Sequence, residues 1–388
     1  MTKIWKQDAA LWRLGFRPMY LLAAFWLALS VPVWLLMLRS PIGWHSHLNA
    51  ATWHAHEMIF GFSCAVIVGF LFTAVRNWTG VATPSGRDLQ LIALSWLMAR
   101  ILFLTPYSAI GIGFELLFFL LAVIGIARCL LASNNRRNYL FIGLLSVLGL
   151  LALAHHLSAL KVLPISATAL SYSALSTVAL IISVMAGRVI PMFTQNAIAN
   201  ARVRRFAWLE FASIGGLALA ILLQMLLATK YANGLLMLVA TIHLCRWWLW
   251  DPLSTWRRPI LWILHLSYLC LPIAMFLYAL PPTWLINNVS LAVHTFTVGS
   301  ICGLCIGMMT RTARGHTGRA LQAGTLEIIA YVLVLSAVVV RVLLSILFPA
   351  EYMRWIEISG GLLILAFALY FIRFLPWLVQ ARADGKPG

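Results

Sequence analysis

Residues 18–38 read PMYLLAAFWLALSVPVWLLML, a run without a charged side chain, bounded by Arg17 before it and Arg39 after it. At 1.5 Å per helical residue, a run of this length crosses a hydrocarbon core of about 30 Å. Outward from it, comparable runs recur at about 55–75, 88–105, 108–130, 138–157, 165–187, 206–228, 231–250, 259–280, 284–309, 323–347 and 353–378, separated by short polar breaks. Lipid offers backbone groups no hydrogen-bond partner, and nothing here alternates as a barrel strand does, so each run is expected to be a helix. The expected fold is all-α: a polytopic membrane bundle of about 12 transmembrane helices, forming a single integral membrane domain over residues 1–388.

Composition agrees. Hydrophobic residues make up 62% of the chain and charged residues only 10%, against about 25% charged in a soluble domain. A net charge of +18 would suggest nucleic acid in a soluble protein, but its distribution excludes that partner. Of the 28 basic residues, 22 fall before the first run or after an even-numbered one, from Lys3, Lys6, Arg13 and Arg17 to Arg373, Arg382 and Lys386. Only Arg39, Arg100, Lys161, Lys230, Arg341 and Arg354 lie elsewhere. This bias follows the positive-inside rule, which places the basic loops and both termini in the cytoplasm. The first run is long and lacks an Ala-x-Ala cleavage site, so it is kept as a helix. The six cysteines lie in or beside apolar runs, where no disulfide framework is expected.

Two connections exceed what a helical hairpin needs: an external stretch over 40–51 and a cytoplasmic one over 191–205. In the first, Pro41, Gly43, Trp44, His45 and His47 lead to Asn49, a suitable N-cap for the second helix. Trp44 and Trp53 are expected at headgroup level. Small residues at four-residue spacing, Gly61, Ala65 and Gly69 in the second helix and Gly299, Gly303 and Gly307 in the tenth, allow close helix packing.

Ionisable side chains at membrane depth are costly and point to function, which directs attention to the ten histidines. His45, His47, His54 and His56 gather at the external end of the second helix, and His155 and His156 at the external end of the fifth. His243, His265 and His294 lie within later runs, and His316 in a cytoplasmic loop. Neutral imidazole ligates haem iron and copper. On an ideal helix His54 lies within roughly 20° of Gly61, so it stands over a groove that a macrocycle or a neighbouring helix can fill. His56 is about 200° from His54 and points to the opposite side. Counted from their helix ends, His243 and His265 fall at the same depth in an antiparallel pair, roughly 10 Å inside. Cys302 and Cys305, with Met308 and Met309 beyond, are weak copper candidates whose ordinary role is packing. Glu57 is placed to support His54 or His56 as an acceptor or proton relay. Glu115, Glu210, Glu327 and Glu357 need partners, and Arg341 is expected to pair with a carboxylate.

The motifs resemble the NnrS family, haem- and copper-containing membrane proteins associated with the bacterial response to nitric oxide. The likeness rests on Gly15-Phe16-Arg17-Pro18, on Trp53-His54-Ala55-His56-Glu57-Met58 with Phe60-Gly61-Phe62, on Gly69-Phe70-Leu71 and on Asn77-Trp78-Thr79-Gly80. It continues through Gly187-Arg188-Val189-Ile190-Pro191, Leu264-His265 with Tyr268, His294, Met308-Met309-Thr310-Arg311 and Gly315-His316-Thr317-Gly318-Arg319. The resemblance implies a multi-pass protein of the bacterial inner membrane that binds haem and copper and lessens nitrosative stress, acting on nitric oxide or an iron–nitrosyl species.

The matching histidines are His54, His56, His265, His294 and His316; His45, His47, His155, His156 and His243 match nothing in it. It does not divide ligands between metals. For haem the expectation is His265 and His294, with His54 third; for copper it is His54 and His56, with Glu57 and His316 in support. Arg188, Arg311, Arg314 and Arg319 are candidates to hold haem propionates or lipid headgroups. A transporter or metal-trafficking factor without redox chemistry is the competing class. The sequence contains no phosphate-cradling loop, activated nucleophile or nicotinamide fingerprint.

Overall fold

The computed structural model describes residues 6, 9–39, 46–226, 229–285 and 287–386. Lys3, Pro41, Gly43, Trp44 and His45 therefore lie outside the described residues. Helix accounts for 81% of the structure, and the described residues contain no strand. The main helices are α1 (Phe16–Arg39), α2 (Ala50–Thr79), α3 (Gly86–Leu102), α4 (Ser108–Ala132), α5 (Leu140–Ala159) and α6 (Ala167–Ala197). They continue with α7 (Ala207–Met225), α8 (Thr229–Leu249), α9 (Pro259–Ala279), α10 (Asn288–His316), α11 (Thr325–Leu347) and α12 (Tyr352–Val379).

Eleven helical stretches among the described residues are long and apolar enough to cross a membrane, against the twelve spans expected. The exception is α3, with 17 residues, which carries Asp88 in its first turn and Arg100 in its last. Burial is inverted relative to a soluble protein: Phe211 is 78% exposed and Ile372 66%, while Arg17 is wholly buried and Arg100 only 1% exposed. Apolar side chains face outward, where lipid would cover them, and the cations turn inward to partners.

Two helices run further than expected. α6 continues through Pro191 to Ala197, so much of the stretch expected as a loop is helix. Proline costs one backbone hydrogen bond and crowds the carbonyl four residues back, which belongs here to Gly187. α10 extends to His316, which places Arg311 and Arg314 on the helix and leaves only Arg319 in the following loop. The expected N-cap is present: the Asn49 side chain accepts a hydrogen bond from the Thr52 amide at 3.0 Å.

Three helices contain π-helical turns, at Glu57–Ser63 in α2, Thr295–Cys302 in α10 and Val339–Leu344 in α11. Such turns rotate every residue beyond them relative to an ideal α-helix and recur at functional sites.

The chain forms two compact units. The first comprises 1–177, 311–320 and 367–388, and the second 178–310 and 321–366. In the first, a Cβ on Gly69 would meet Met19 and Tyr20, and one on Gly15 would meet Phe72, so α1 and α2 pack backbone to side chain. In the second, Gly299, Gly303 and Gly307 lie against Cys270, Ser267 and Leu264 of α9. That stripe is packing, as its spacing suggests.

A buried histidine–carboxylate cluster as candidate metal site

The first unit gathers charge where its apolar exterior would least admit it. Glu57, in the first π turn of α2, accepts from the Trp26 indole at 2.7 Å and from Arg100 Nη1 at 3.1 Å. Arg100 also donates to Glu115 of α4 through its other terminal nitrogen. One guanidinium thus bridges two buried carboxylates. Space for it comes from Gly61, where a Cβ would lie 2.8 Å from Glu57 Oε2, 2.9 Å from Arg100 Nη1 and 3.0 Å from Trp26 Nε1. The groove that spacing placed beneath His54 is therefore filled by this ion pair and the Trp26 indole, while His54 itself meets Trp34 of the same helix α1.

Imidazoles complete the cluster. His56 places Nδ1 3.0 Å from Glu57 and Nε2 3.1 Å from Glu115. His156 of α5 places Nε2 2.8 Å from the same Glu115 oxygen, and its Nδ1 meets His47 Nε2 at 2.8 Å. His47 ends the line at Ser108 Oγ, 2.9 Å away. Burial, reinforced by His156 and His56, lowers the His47 pKa to about 4, which keeps that ring neutral near neutral pH. His155 lies against the group, its ring tilted 44° to that of His56 with the ring centres 5.2 Å apart. Both of its ring nitrogens are buried without a hydrogen-bond partner, at a cost of roughly 1–3 kcal/mol for each unsatisfied group.

This chemistry fits a metal. Ligands held about 2.0–2.1 Å from a tetrahedral ion lie about 3.3 Å apart, and the donor atoms of His56, Glu115 and His156 all lie within 4.8 Å of one another. Imidazole with carboxylate suits zinc, copper, iron or nickel. Glu57 takes a supporting position, bonded to His56 Nδ1 and thereby orienting its Nε2 toward Glu115.

Other expected site residues lie elsewhere. His54 stacks on Trp34, with ring centres 3.8 Å apart, on the side away from His56 that their 200° separation implied. His316 packs on Phe16 at the start of α1, roughly 15 Å of helix from Trp26 at 1.5 Å per residue. It therefore supports no ligand of this group. Arg314 and Arg319 stack over Trp377 and donate to the Ala320 and Thr317 carbonyls, the ordinary use of basic residues at a helix end.

In the second unit, His265 Nε2 lies 2.9 Å from Thr194 Oγ1, whose proton goes to the Ile190 carbonyl. The imidazole must therefore donate, which leaves Nδ1 with a free lone pair, buried and unpartnered. His294 donates Nδ1–H to the Ser290 carbonyl at 2.7 Å, which leaves the lone pair on Nε2. Both rings have the tautomer a metal ligand needs. His243 and His265 are not level, however: His243 Nδ1 meets the Tyr268 hydroxyl at 2.6 Å, while Trp247 reaches the His265 carbonyl. The packing register of α8 on α9 offsets the two histidines by one turn. Tyr268 also accepts from Arg246, which pairs with Glu210 at 2.5 Å and occupies the space a Gly187 side chain would take.

The sequence reading set His47, His155 and His156 aside because they match no family motif, and it did not join Glu115 or Arg100 to them; the five lie on four different segments. A usable signal was present: each sits within about two turns of the end of its helix, or just before the helix, at ends that alternate topology brings to one side.

None of the curated proteins matches the chain. The family model described as "NnrS protein" matches residues 10–382, nearly the whole length, and the chain therefore belongs to the NnrS family.

Proposed function

We propose that this is a haem- and copper-binding protein of the bacterial inner membrane, with both termini cytoplasmic, that protects against nitric oxide and nitrosative stress. Copper is assigned to the first unit, on His56, His156 and Glu115 with His155 beside them; this moves the expected ligand from His54 to His156. Haem is assigned to the second unit, with His265 and His294 as alternative axial ligands, since the register of Gly299 on Cys270 and Gly307 on Leu264 sets them about 15 Å apart along the helix pair.

The observation that carries the reading is the buried His56–Glu115–His156 group flanked by His155, whose two nitrogens have no protein partner. Family likeness selects copper and haem from among the metals these donors suit. When bound, such metals supply a site for nitric oxide and a route for single electrons. The protein side is concrete: Arg100 and Glu57 hold Glu115 and His56 in place, and the apolar surround excludes water.

The hydrogen-bonded line Ser108–His47–His156–Glu115–His56–Glu57 favours a second reading, a proton-coupled transporter or metal-trafficking factor without redox chemistry. Metal analysis of purified protein, with optical spectra of the reduced form with and without nitric oxide, separates the two. The proposal expects a Soret band that weakens in H265A or H294A, and copper that is lost in H156A while the Soret band stays. Folded protein that is colourless and free of metal would leave transport or trafficking as the function.

A further inference from the structure

Arg341 stands apart from the other buried arginines. Arg100 and Arg246 meet carboxylates, Arg17 donates to the Leu378 and Gln380 carbonyls at the end of α12, and Arg314 donates to the Ala320 carbonyl. Arg341 lies in the π turn of α11 and is 5% exposed. No carboxylate among the described residues meets it, contrary to the pairing expected from sequence. Its Nη2 contacts only neutral groups: Tyr352 hydroxyl at 2.8 Å, Ser290 hydroxyl at 3.3 Å and His294 Nδ1 at 3.3 Å. Its Nη1 is buried with no partner at all. The guanidinium carbon lies 4.9 Å from the centre of the Tyr352 ring.

A buried cation without a counter-charge is expensive, and in a membrane segment it marks a ligand site by default. The donors left over are those an anion needs. Arg341 Nη1 is unused, and of the Tyr352 and Ser290 hydroxyls, which share one hydrogen bond at 3.3 Å while each accepts from Nη2, one keeps a proton to give. His294 is turned so that its Nδ1 proton goes to Ser290, and it adds no charge. One positive charge calls for a monovalent anion, and a flat guanidinium fork matches two oxygens on one centre better than it matches a sphere.

We infer that Arg341, Tyr352 and Ser290 form a binding site for a small planar monoanion with two oxygens on one atom, such as nitrite or a carboxylate. The site requires no metal but borders His294, assigned above to haem; Tyr352 contacts Arg341 and Ser290, so Y352F tests the site apart from that assignment.

The test is the thermal unfolding midpoint of the detergent-purified, full-length protein, titrated with sodium nitrite, formate or chloride against gluconate at constant ionic strength, because a ligand of the folded state raises that midpoint. Nitrite and formate should raise it saturably, and chloride less. In Y352F and R341Q the half-saturating concentration should rise by about tenfold or more, the weight of one charge-assisted hydrogen bond. A response to nitrite alone identifies a nitrogen oxoanion, and a response to both identifies the shared carboxylate-like chemistry. No response in the wild type, an equal response in both variants, or a response to chloride alone would overturn the site. If R341Q does not fold, Y352F decides.

Discussion

Gly61→Ala is the sharpest perturbation of the cluster, because the missing side chain is what admits the ion pair. The added Cβ would lie 2.8–3.0 Å from three atoms at once: a Glu57 oxygen, an Arg100 nitrogen and the Trp26 indole nitrogen. None can retreat freely, since Glu57 is fully buried and Arg100 is tied to Glu115 as well. Overpacking alone costs about 1–3 kcal/mol, and breaking a buried pair outright costs about 3–5 kcal/mol. The helix preference of alanine returns about 1 kcal/mol. Where the pair breaks, the net expectation is a loss of about 2–4 kcal/mol, with weaker binding of the proposed copper because His56 and Glu115 lose their supports. Gly113 and Gly143 have nothing within 4 Å of a built Cβ, so alanine there should stabilise by about 0.5–1 kcal/mol. Unfolding in mixed detergent–SDS micelles, followed by tryptophan fluorescence, measures all three variants against the wild type. A Gly61→Ala protein as stable as the wild type would mean that the Glu57–Arg100 contact does not hold this helix pair.

Two further outcomes follow from the same geometry. His47, with its pKa pushed down to about 4, binds fewer protons folded than unfolded between about pH 4 and its ordinary value near 6.5. Stability should therefore fall as pH drops through that window, and fall less in His47→Gln; thermal midpoints taken between pH 7.5 and 4.5 check the sign. Tyr268→Phe removes the hydroxyl shared by His243 and Arg246 and should cost about 1–3 kcal/mol, measured by the same SDS unfolding.

Much of the fold is legible in the sequence, because lipid imposes one solution on every apolar run of sufficient length. Asn49 capping α2 and the Gly299, Gly303 and Gly307 stripe against α9 follow directly from residue type and spacing. The site is less legible for two physical reasons. The groove along α1 that His54 and Gly61 face is taken up by the Glu57–Arg100 pair and the Trp26 indole, which spacing along one helix does not reveal. Tertiary convergence also leaves little trace in sequence: His56 and His156 stand a hundred residues apart yet meet on one Glu115 oxygen. Motif matching favoured His54 and left out His156 because it weighs neighbours along the chain, whereas His156 joins His56 and Glu115 only in space.

The charges of the first cluster point to what completes it. Glu57 and Glu115 bring two negative charges into a buried space, and Arg100 returns one positive. An uncompensated charge at such burial is costly, so the group requires one more positive charge among the imidazoles of His56, His156 and His155. A proton supplies it, and so does a monovalent metal cation. Metal and proton then compete for one place, and loading must release protons and weaken as pH falls. His155 breaks the symmetry between them. A proton on the His56–Glu115–His156 line leaves its two nitrogens without a partner, whereas an ion drawn toward its ring would satisfy one of them, so under the proposed function His155→Ala should weaken metal loading more than it weakens folding.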